Sequence, residues 1–332
     1  MNSYNLPVFD LHCDLLSYLS SVPQASFLNP EIGCALPHLL NGNVKAQVMA
    51  IYATVESGST LKAFNQTQQF SALLEDHAQH VRQIHDLGDV TDLGQQSVIG
   101  VIAAIENASG FCEEKESLDN GLRKLENMLQ NLGRIFYISF THHGENRFGG
   151  GNYASCGLKD DGKYLLEYLD KRQIAIDLAH TSDALAFDIL NYIDQKGLHL
   201  PVIASHSNFR SIHHHARNLP DEIVHEIITR KGLIGINFLR AYVHDARPDR
   251  LYDHIMYGLQ QGEGTGLCFG ADFFYHHDFA DHSRIPLFFE EHEDAGKYPA
   301  VLQGLENRAV KLPALEGLCY RNVLQFMQHH WS

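Results

Sequence analysis

Short apolar runs alternate with longer segments in which apolar residues recur at helical spacing. The short runs predict β-strands and the longer segments predict α-helices. The predicted strands occupy 8–14, 44–53, 98–105, 135–140, 174–178, 201–204, 233–238 and 267–269. The predicted helices occupy 60–87, 118–132, 159–171, 249–261, 298–306 and 312–328, and two further helices begin near Ser182 and Pro220.

Eight strands that alternate with helices predict a parallel sheet with helical crossovers. No repeat, low-complexity tract or long linker divides the 332 residues, so one domain spanning 1–332 is expected. This length suits a (β/α)8 TIM-like barrel with extra C-terminal helices better than an open doubly wound sheet. A dinucleotide-binding protein is disfavoured, because no Gly-x-Gly-x-x-Gly follows the first strand.

Composition excludes some cellular locations and some classes of binding partner. The formal net charge of −15 disfavours nucleic acid and anionic membrane surfaces as partners. The six cysteines form no Cys-x-x-Cys pair and are expected to stay reduced. Residues 1–7 do not read as a secretory signal, and no apolar run is long enough to span a bilayer. A cytoplasmic protein without a membrane partner is therefore expected, and a homodimer is left open.

Polar, metal-binding residue types follow most of the predicted strands. The first strand ends in His12 and Asp14, whose side chains share one side of an extended backbone. The later strand ends supply Glu106, Thr141-His142-His143, His180, His206 and Asp272. Any one of these is more often a hydrogen-bonded structural residue than a ligand. Together they indicate a site, because the strands of a barrel carry their chemistry at one face, at their C-terminal ends.

The residue types at these strand ends predict a metal centre. Several imidazoles beside carboxylates suit Zn²⁺ and are too rich in nitrogen for Mg²⁺ or Ca²⁺. The set contains more ligands than one tetrahedral ion needs, so two metal ions bridged by a carboxylate are expected. Glu106 comes from the middle of the set and is the expected bridge.

The strand-end motifs also resemble those of a known family, the renal (membrane) dipeptidases, from about residue 8 to residue 326. The motifs that carry the resemblance are Phe9-Asp10-Leu11-His12-Cys13-Asp14, Ile105-Glu106, Phe140-Thr141-His142, Ile176-Asp177-Leu178-Ala179-His180, Ser205-His206-Ser207, Arg217-Asn218-Leu219-Pro220-Asp221 and Phe269-Gly270-Ala271-Asp272-Phe273. The resemblance implies a zinc-dependent dipeptidase with two Zn²⁺ ions per chain in a TIM-like barrel. It also implies a dipeptide substrate, attacked by a hydroxide held between the metals.

The resemblance assigns the metal ligands residue by residue. His12 and Asp14 would hold one zinc ion, and His180 and His206 would hold the other. Glu106 would bridge the two ions. Cys13 lies between two ligands and is expected to point to the opposite face of the strand and pack in the barrel wall.

The resemblance also implies roles around the substrate. His142 would face the scissile carbonyl oxygen, and Asp272 would act as the acid and base beside the attacking water. Arg217 would bind the terminal carboxylate of the substrate, and Tyr242 would contact the substrate. Without the family, Arg217 would be interpreted as a surface charge near a helix start. Tyr242 would equally fit a packed loop aromatic.

Two segments depart from the family or are unfamiliar. The family usually has Asp-Phe-Asp-Gly where this chain has Asp272-Phe273-Phe274-Tyr275, and the loop up to residue 298 is unfamiliar. The glycine-rich segment 144–153 is expected to line or cover the pocket. The tract His213-His214-His215 lies in a predicted loop and is interpreted as solvated surface. These departures concern substrate preference more than the chemistry.

Other functions stay open at this stage. The same metal site could open another small carboxylate-bearing amide or a lactone. A catalytically idle binding homologue is disfavoured, because every ligand that the family implies is present. A serine or cysteine hydrolase has no support, since the chain has no Gly-x-Ser-x-Gly and Cys13 has no sequence context of a nucleophile.

Overall fold

Eight parallel strands close into a barrel, and a short additional strand pairs at its edge. The structure, a computed structural model, describes residues 5–95, 97–277 and 279–331. The strands in chain order are β1 Val8–Cys13, β2 Val44–Tyr52, β3 Val81–Gln83, β4 Ile99–Glu106, β5 Ile135–Ser139, β6 Ala175–Asp177, β7 Val202–Ala204, β8 Leu233–Ile236 and β9 Leu267–Phe269. Pairing of β1 with β9 and of β2 with β4 completes the ring, and β3 pairs only with β4.

Helices surround the barrel and follow most strands. They are α1 Leu15–Ser21, α2 Leu36–Asn41, α3 Ser59–Asp76, α4 Leu118–Leu132, α5 Asp160–Leu169, α6 Asp183–Lys196, α7 Asp221–Thr229, α8 Arg240–Val243, α9 Arg250–Gln261, α10 Tyr298–Glu306, α11 Leu312–Glu316 and α12 Asn322–His330. Local sequence explains several ends. The Ser182 hydroxyl accepts a hydrogen bond from the Leu185 N–H at the start of α6, and Gly197 ends this helix with a φ of 64°.

The predicted barrel is confirmed, with two corrections to the elements. The predicted helix 60–87 is too long, because α3 ends at Asp76 and strand β3 follows it. The three residues Val81–Gln83 are too short to show a strand period against the polar background of that region. The predicted helix 312–328 is interrupted by a π-helical turn, Gly317–Arg321, between α11 and α12.

Alternate residues of β4 divide between two apolar clusters. Ile102 and Ala104 belong to the smaller cluster, which also contains Phe326 of α12. Val101, Ala103 and Ile105 belong to the larger cluster, which packs the strands against the helices. Glu106 continues the face of Ile102 and Ala104, because side chains two residues apart point to the same side of a strand. The smaller cluster therefore lies on the face of β4 that ends at Glu106.

Cys13 is fully buried in the larger cluster, so its expected packing in the barrel wall is confirmed. Within 5–95, 97–277 and 279–331, no helix combines the length and the apolar character that crossing a membrane requires.

Candidate active site

The five predicted metal ligands meet at the C-terminal ends of the strands. Glu106 lies between the others, with Oε2 3.6 Å from the Nε2 of His12. Its Oε1 lies 3.1 Å from the Nε2 of His180 and 3.5 Å from the Nε2 of His206. The Oδ2 of Asp14 lies 3.7 Å from the Nε2 of His12. The structure thus brings together all five side chains, with their ligand atoms facing one another.

The rings of His12 and His180 are oriented by hydrogen bonds on their far sides. The Nδ1 of His12 lies 2.6 Å from the hydroxyl of Tyr137, which itself donates to the carbonyl of Leu11. The Nδ1 of His180 lies 3.2 Å from the Oδ1 of Asn152, an acceptor. Both Nδ1 atoms therefore act as donors, and each Nε2 is turned toward Glu106.

The ring of His206 is oriented by a chain of buried polar groups. Its Nδ1 lies 2.6 Å from the hydroxyl of Ser205, which donates to the Oδ2 of Asp177 at 2.7 Å. The same carboxylate accepts the Ser139 hydroxyl, and its Oδ1 accepts the N–H groups of Ser205 and Ala179. Because the Ser205 proton is given to Asp177, Ser205 accepts from His206, and the Nε2 of His206 is free for a metal.

The electrostatics of the five ligands fit a divalent cation. Burial holds the pKa values of His180 and His206 well below the ordinary histidine range, so both rings are neutral, the form that binds metals. Burial lowers the pKa of His12, but Glu106 and Asp14 raise it more, to about 10. The charges of Glu106 and Asp14 thus stabilise a positive charge at the Nε2 of His12. The Nε2 of His12 and the Oδ1 of Asp14 are buried without a hydrogen-bond partner, as expected for atoms that coordinate an ion.

A buried carboxylate that sequence reasoning missed, Asp10, fixes two strand ends. Its Oδ1 accepts the N–H of His12 at 2.8 Å, and its Oδ2 accepts the N–H of Ala271 at 3.2 Å. The hydroxyl of Tyr298 also donates to this Oδ2. Asp10 therefore ties β1 and β9 together just before His12 and Asp272. An aspartate inside the apolar run 8–13 was the sequence feature that could have revealed it.

Asp272 lies beside the predicted ligands. Its Oδ1 is 3.5 Å from the Nε2 of His12, and its Oδ2 accepts a hydrogen bond from the amide of Asn237 at 2.8 Å. Burial, together with the charge of Asp14, raises the pKa of Asp272 to about 6. Asp272 and His180 both have positive φ values, 66° and 65°. Such backbone conformations are uncommon outside glycine and concentrate at functional sites.

His142 lies beside Glu106 and packs against the ring of His180. Its Nε2 is 3.9 Å from the Oε1 of Glu106, and its ring makes an edge contact with Tyr52 at 4.9 Å between centroids. Burial lowers the pKa of His142 well below its ordinary value, so the ring is neutral. Gly151 allows the chain to approach closely, because a Cβ at this position would lie 2.1 Å from the carbonyl oxygen of His142.

The ligands open into a cleft of about 430 Å³. Its wall is largely aromatic, formed by Tyr18, Tyr52, Tyr242, Phe274, Tyr275 and Phe279. Its polar lining includes Asp14, Glu106, His142, His143, His180, Asp272 and Arg284. Segment 144–153, which was expected to line or cover the pocket, contributes no residue to this lining. That segment instead lies behind His143 and His180, where Asn152 accepts a hydrogen bond from each ring.

Arg217 lies next to the site but behind its wall. Only 3% of its surface is exposed, and its guanidinium donates to the Ser207 hydroxyl at 2.6 Å and to the His206 carbonyl at 2.7 Å. The Nε of Arg217 is buried without a partner, and no described carboxylate forms an ion pair with it. Tyr242 lines the cleft directly, and the guanidinium carbon of Arg217 lies 5.5 Å from its ring centroid.

The interpretation of 213–215 as solvated surface holds for one residue and fails for another. His214 is exposed. His215 is half-buried, with its ring 4.9 Å from that of Tyr242. Its Nδ1 accepts the backbone N–H of Arg217 at 3.0 Å. His215 therefore helps to position both predicted substrate-binding residues, and nothing in the local sequence distinguishes it from its two neighbours.

Fold and site together define the class of metal-dependent barrel hydrolases, in which strand ends supply imidazoles and carboxylates to one cleft. Residues 3–330 match the membrane dipeptidase family, peptidase family M19, and the chain belongs to this family. The family predicted from the sequence motifs is confirmed. Membership identifies the chain as a hydrolase of the peptidase type.

Similar proteins extend over most of the chain. An uncharacterized protein of Acinetobacter calcoaceticus from the PQQ-III 3' region is 23% identical over 297 residues, which cover 77% of this chain and 90% of that protein. A dipeptidase of Clonostachys rogersoniana is 27% identical over 220 residues, 62% of this chain and only 53% of that protein. A crystal structure of a Rhodobacter sphaeroides metallopeptidase with a phosphinate mimic of L-Ala-D-Ala shares the fold. Its TM-score is 0.84 at 17% identity, with 98% of this chain and 100% of that chain covered.

Proposed function

We propose that this protein is a zinc-dependent dipeptidase that hydrolyses the peptide bond of dipeptides. The observation that carries the proposal is the common orientation of His12, His180 and His206. In each ring Nδ1 faces an oxygen partner, and each Nε2 lies within 3.6 Å of Glu106. Such an arrangement suits metal coordination, because each Nδ1 makes the outer hydrogen bond and each Nε2 is the atom placed to act as the ligand.

The two oxygens of Glu106 support a site for two ions. Oε2 faces His12, whereas Oε1 faces His180 and His206. In the proposal His12 and Asp14 would hold one Zn²⁺, His180 and His206 would hold the other, and Glu106 would supply a ligand oxygen to each. When bound, such a pair of ions polarises a substrate carbonyl and lowers the pKa of an attacking water molecule.

Asp272 is proposed as the group that moves the proton. It accepts a proton from the attacking water and passes it to the departing amine nitrogen. A pKa of about 6 suits both steps near neutral pH, because the carboxyl is largely ionised yet can hold a proton transiently. The hydrogen bond from Asn237 fixes one oxygen and leaves Oδ1 directed toward the ligands.

The cleft wall is proposed to hold the substrate. His142 donates an N–H to the oxygen of the attacked carbonyl, where negative charge develops. The positive charge of Arg217, together with Tyr242, binds the terminal carboxylate of the dipeptide. The lack of an ion pair to Arg217 among the described residues supports this role, since its charge remains available to an anionic substrate. Longer peptides lack a carboxylate at that place and should be poor substrates.

The proposal is tested by metal content and hydrolysis together. Elemental analysis of the purified protein should find two metal ions per chain. L-L and L-D dipeptides should be cleaved before chelation, left intact after it and cleaved again when Zn²⁺ is restored. Fewer than two ions per chain, with activity indifferent to the chelator, would refute the proposal. A lactone or cyclic amide opened in preference to every dipeptide would assign the site to another amidohydrolase-like reaction.

A matched pair of variants separates the site from the other histidines of the chain. His206→Asn should lose metal, because its Nε2 faces Glu106 at 3.5 Å. His214→Asn, which changes an exposed histidine outside the cleft, should keep the full metal content and activity. Equal metal content in the two variants would contradict the proposed ligand set.

A further inference from the structure

A second cationic side chain, Arg284, lines the cleft. It belongs to the unfamiliar loop 273–298. It is not one of the strand-end residues, and it has no role in the proposed mechanism. Its guanidinium carbon lies 5.2 Å from the ring centroid of Phe279, another residue of the cleft wall. This stacking orients the planar guanidinium without occupying its N–H donors.

Backbone contacts hold Arg284 near the predicted binding site for the terminal carboxylate. The carbonyl of Arg284 accepts a hydrogen bond from the Arg240 side chain at 2.8 Å, and the N–H of Arg240 donates to the carbonyl of Leu287 at 2.8 Å. Arg240 begins the short helix α8, which carries Tyr242. The segment that bears Arg284 is therefore attached directly to the element that bears Tyr242.

The charges of Arg217 and Arg284 act on the same half-buried histidine, His215. Both contribute to the pKa of His215, which falls to about 4 chiefly through burial. Two positive charges thus border one part of the cleft, with Tyr242 beside it.

The charge of Arg284 is not neutralised by an ion pair within the part of the chain that the structure describes. Several arginines outside the cleft are ion-paired. Arg210 pairs with Asp183 at 2.6 Å, and Arg247 pairs with Asp249 at 2.6 Å. Within the described residues, neither Arg284, in the cleft lining, nor Arg217, behind the cleft wall, has an ion-paired carboxylate.

We propose that Arg284 is a specificity-determining residue that binds the side-chain carboxylate of an acidic C-terminal residue. The inference rests on the proposed dipeptidase function, in which Arg217 takes the terminal carboxylate. A dipeptide ending in aspartate or glutamate supplies two carboxylates to the two guanidinium groups. The cleft therefore prefers such dipeptides over their uncharged amide counterparts.

The test compares L-Ala-Glu with L-Ala-Gln, which have nearly the same shape and differ in charge, each with an L or a D second residue. For the better isomer, kcat/KM of the unmodified protein should be roughly 10- to 100-fold higher with the glutamate dipeptide. Arg284→Met should remove this preference and leave hydrolysis of the glutamine dipeptide within about twofold. Arg284→Lys should retain part of the preference, because it keeps the charge but loses the fork geometry.

Arg247→Met is the matched control, because it removes an arginine outside the cleft lining and should leave the preference unchanged. Equal rates on both dipeptides in the unmodified protein would overturn the inference while leaving the dipeptidase function intact. An equal loss on both dipeptides in Arg284→Met would also overturn it, by assigning Arg284 to the terminal carboxylate. Failure to cleave any dipeptide would instead refute the proposed function itself.

Discussion

The floor and the rim of the cleft are held in different ways. The floor consists of the strand-end residues His12, Asp14, Glu106, His180 and His206, whose histidine rings are oriented by hydrogen bonds on the side that faces away from the cleft. The rim is the loop 273–298, whose described residues include short 3₁₀ turns but no strand longer than an isolated bridge. The floor is buried, whereas Arg284 in the rim is half-exposed.

This difference indicates how the reaction and the substrate preference are separated in the molecule. Barrel strands and buried hydrogen-bond partners fix each floor residue in place. A substitution that shifts one of them would therefore misplace a ligand atom. The rim packs Phe273 and Phe288 into the core, whereas Arg284 is half-exposed and is held through its backbone carbonyl, so the Arg284 side chain can change without disturbing the strands. Substitutions in the floor should therefore affect every substrate, and substitutions of half-exposed rim residues should affect only some.

The largest effect is expected from Glu106→Gln, at the centre of the floor. The substitution keeps the volume but removes the negative charge that faces all three histidines. Metal content should fall below two ions per chain, and activity should fall by more than the roughly 100-fold typical for loss of a ligand's hydrogen-bond partner. Elemental analysis and dipeptide assays measure both. Glu126→Gln, on the surface of α4, is the control, and a Glu106→Gln protein with two ions and full activity would disprove the bridge.

Asp272→Asn should lose most turnover and still bind metal ions at the floor. Asn keeps the oxygen that accepts the hydrogen bond from Asn237, but it cannot take a proton from water. Loss of a general acid and base typically lowers kcat by about 100- to 10,000-fold. Metal content should remain that of the unmodified protein. Full activity would remove Asp272 from the mechanism, and loss of metal would assign it to the ligand set instead.

A smaller effect is expected from Ser205→Ala, one step behind the floor. The substitution removes the hydroxyl that accepts from the Nδ1 of His206, so the ring can turn and change its tautomer. Metal affinity should fall about 10- to 100-fold, measured by competition with a chelator. Ser139→Ala is the matched control, because Ser139 also donates to Asp177 but does not contact His206. Equal losses in both variants would show that Asp177, rather than the ring contact, governs the affinity.

The same contrast explains how much could be predicted from the sequence. The floor was predictable because parallel strands align their ends, so the order of the strands alone places His12, Glu106 and His206 together. The hydrogen-bond partners of the ligands were not predictable in this way. Asn152 lies 28 residues before His180 in the chain, and only the folded loop brings its oxygen to the ring.

The rim was less predictable still. Its residues follow neither a strand nor a helical period, so the position of Arg284 depends on the hydrogen bonds that Arg240 donates to the carbonyls of Arg284 and Leu287, which no local pattern encodes. Likewise, the burial of Arg217 could not be inferred from a charged residue before a helix start. Family motifs identified the chemistry of these residues, but only the structure shows which of them face the cleft.

The smallest effect is a pH dependence at the base of the rim, where Asp294 pairs with His38 of α2 at 3.4 Å. The hydrogen bond with Asp294 raises the pKa of His38 above its ordinary value. Burial raises the pKa of Asp294 but His38 lowers it by more, so the carboxylate stays charged in the pH range where His38 titrates. The pair therefore stabilises the fold fully below the unfolded-state pKa of His38, near 6.5, and this contribution is lost as pH rises through the raised folded-state pKa.

His38→Gln should remove this contribution. Because the pair is partly exposed, we expect the Tm of the unmodified protein to exceed that of the variant by only about 1–2 °C at pH 6 and to match it near pH 9. His199→Gln is the control, since His199 faces Asp170 at 3.9 Å on an exposed surface away from the rim. Thermal unfolding of the three proteins across this range measures the difference. A Tm difference that does not change with pH would mean that His38 acts through packing, and that the rim has no titratable anchor at this point.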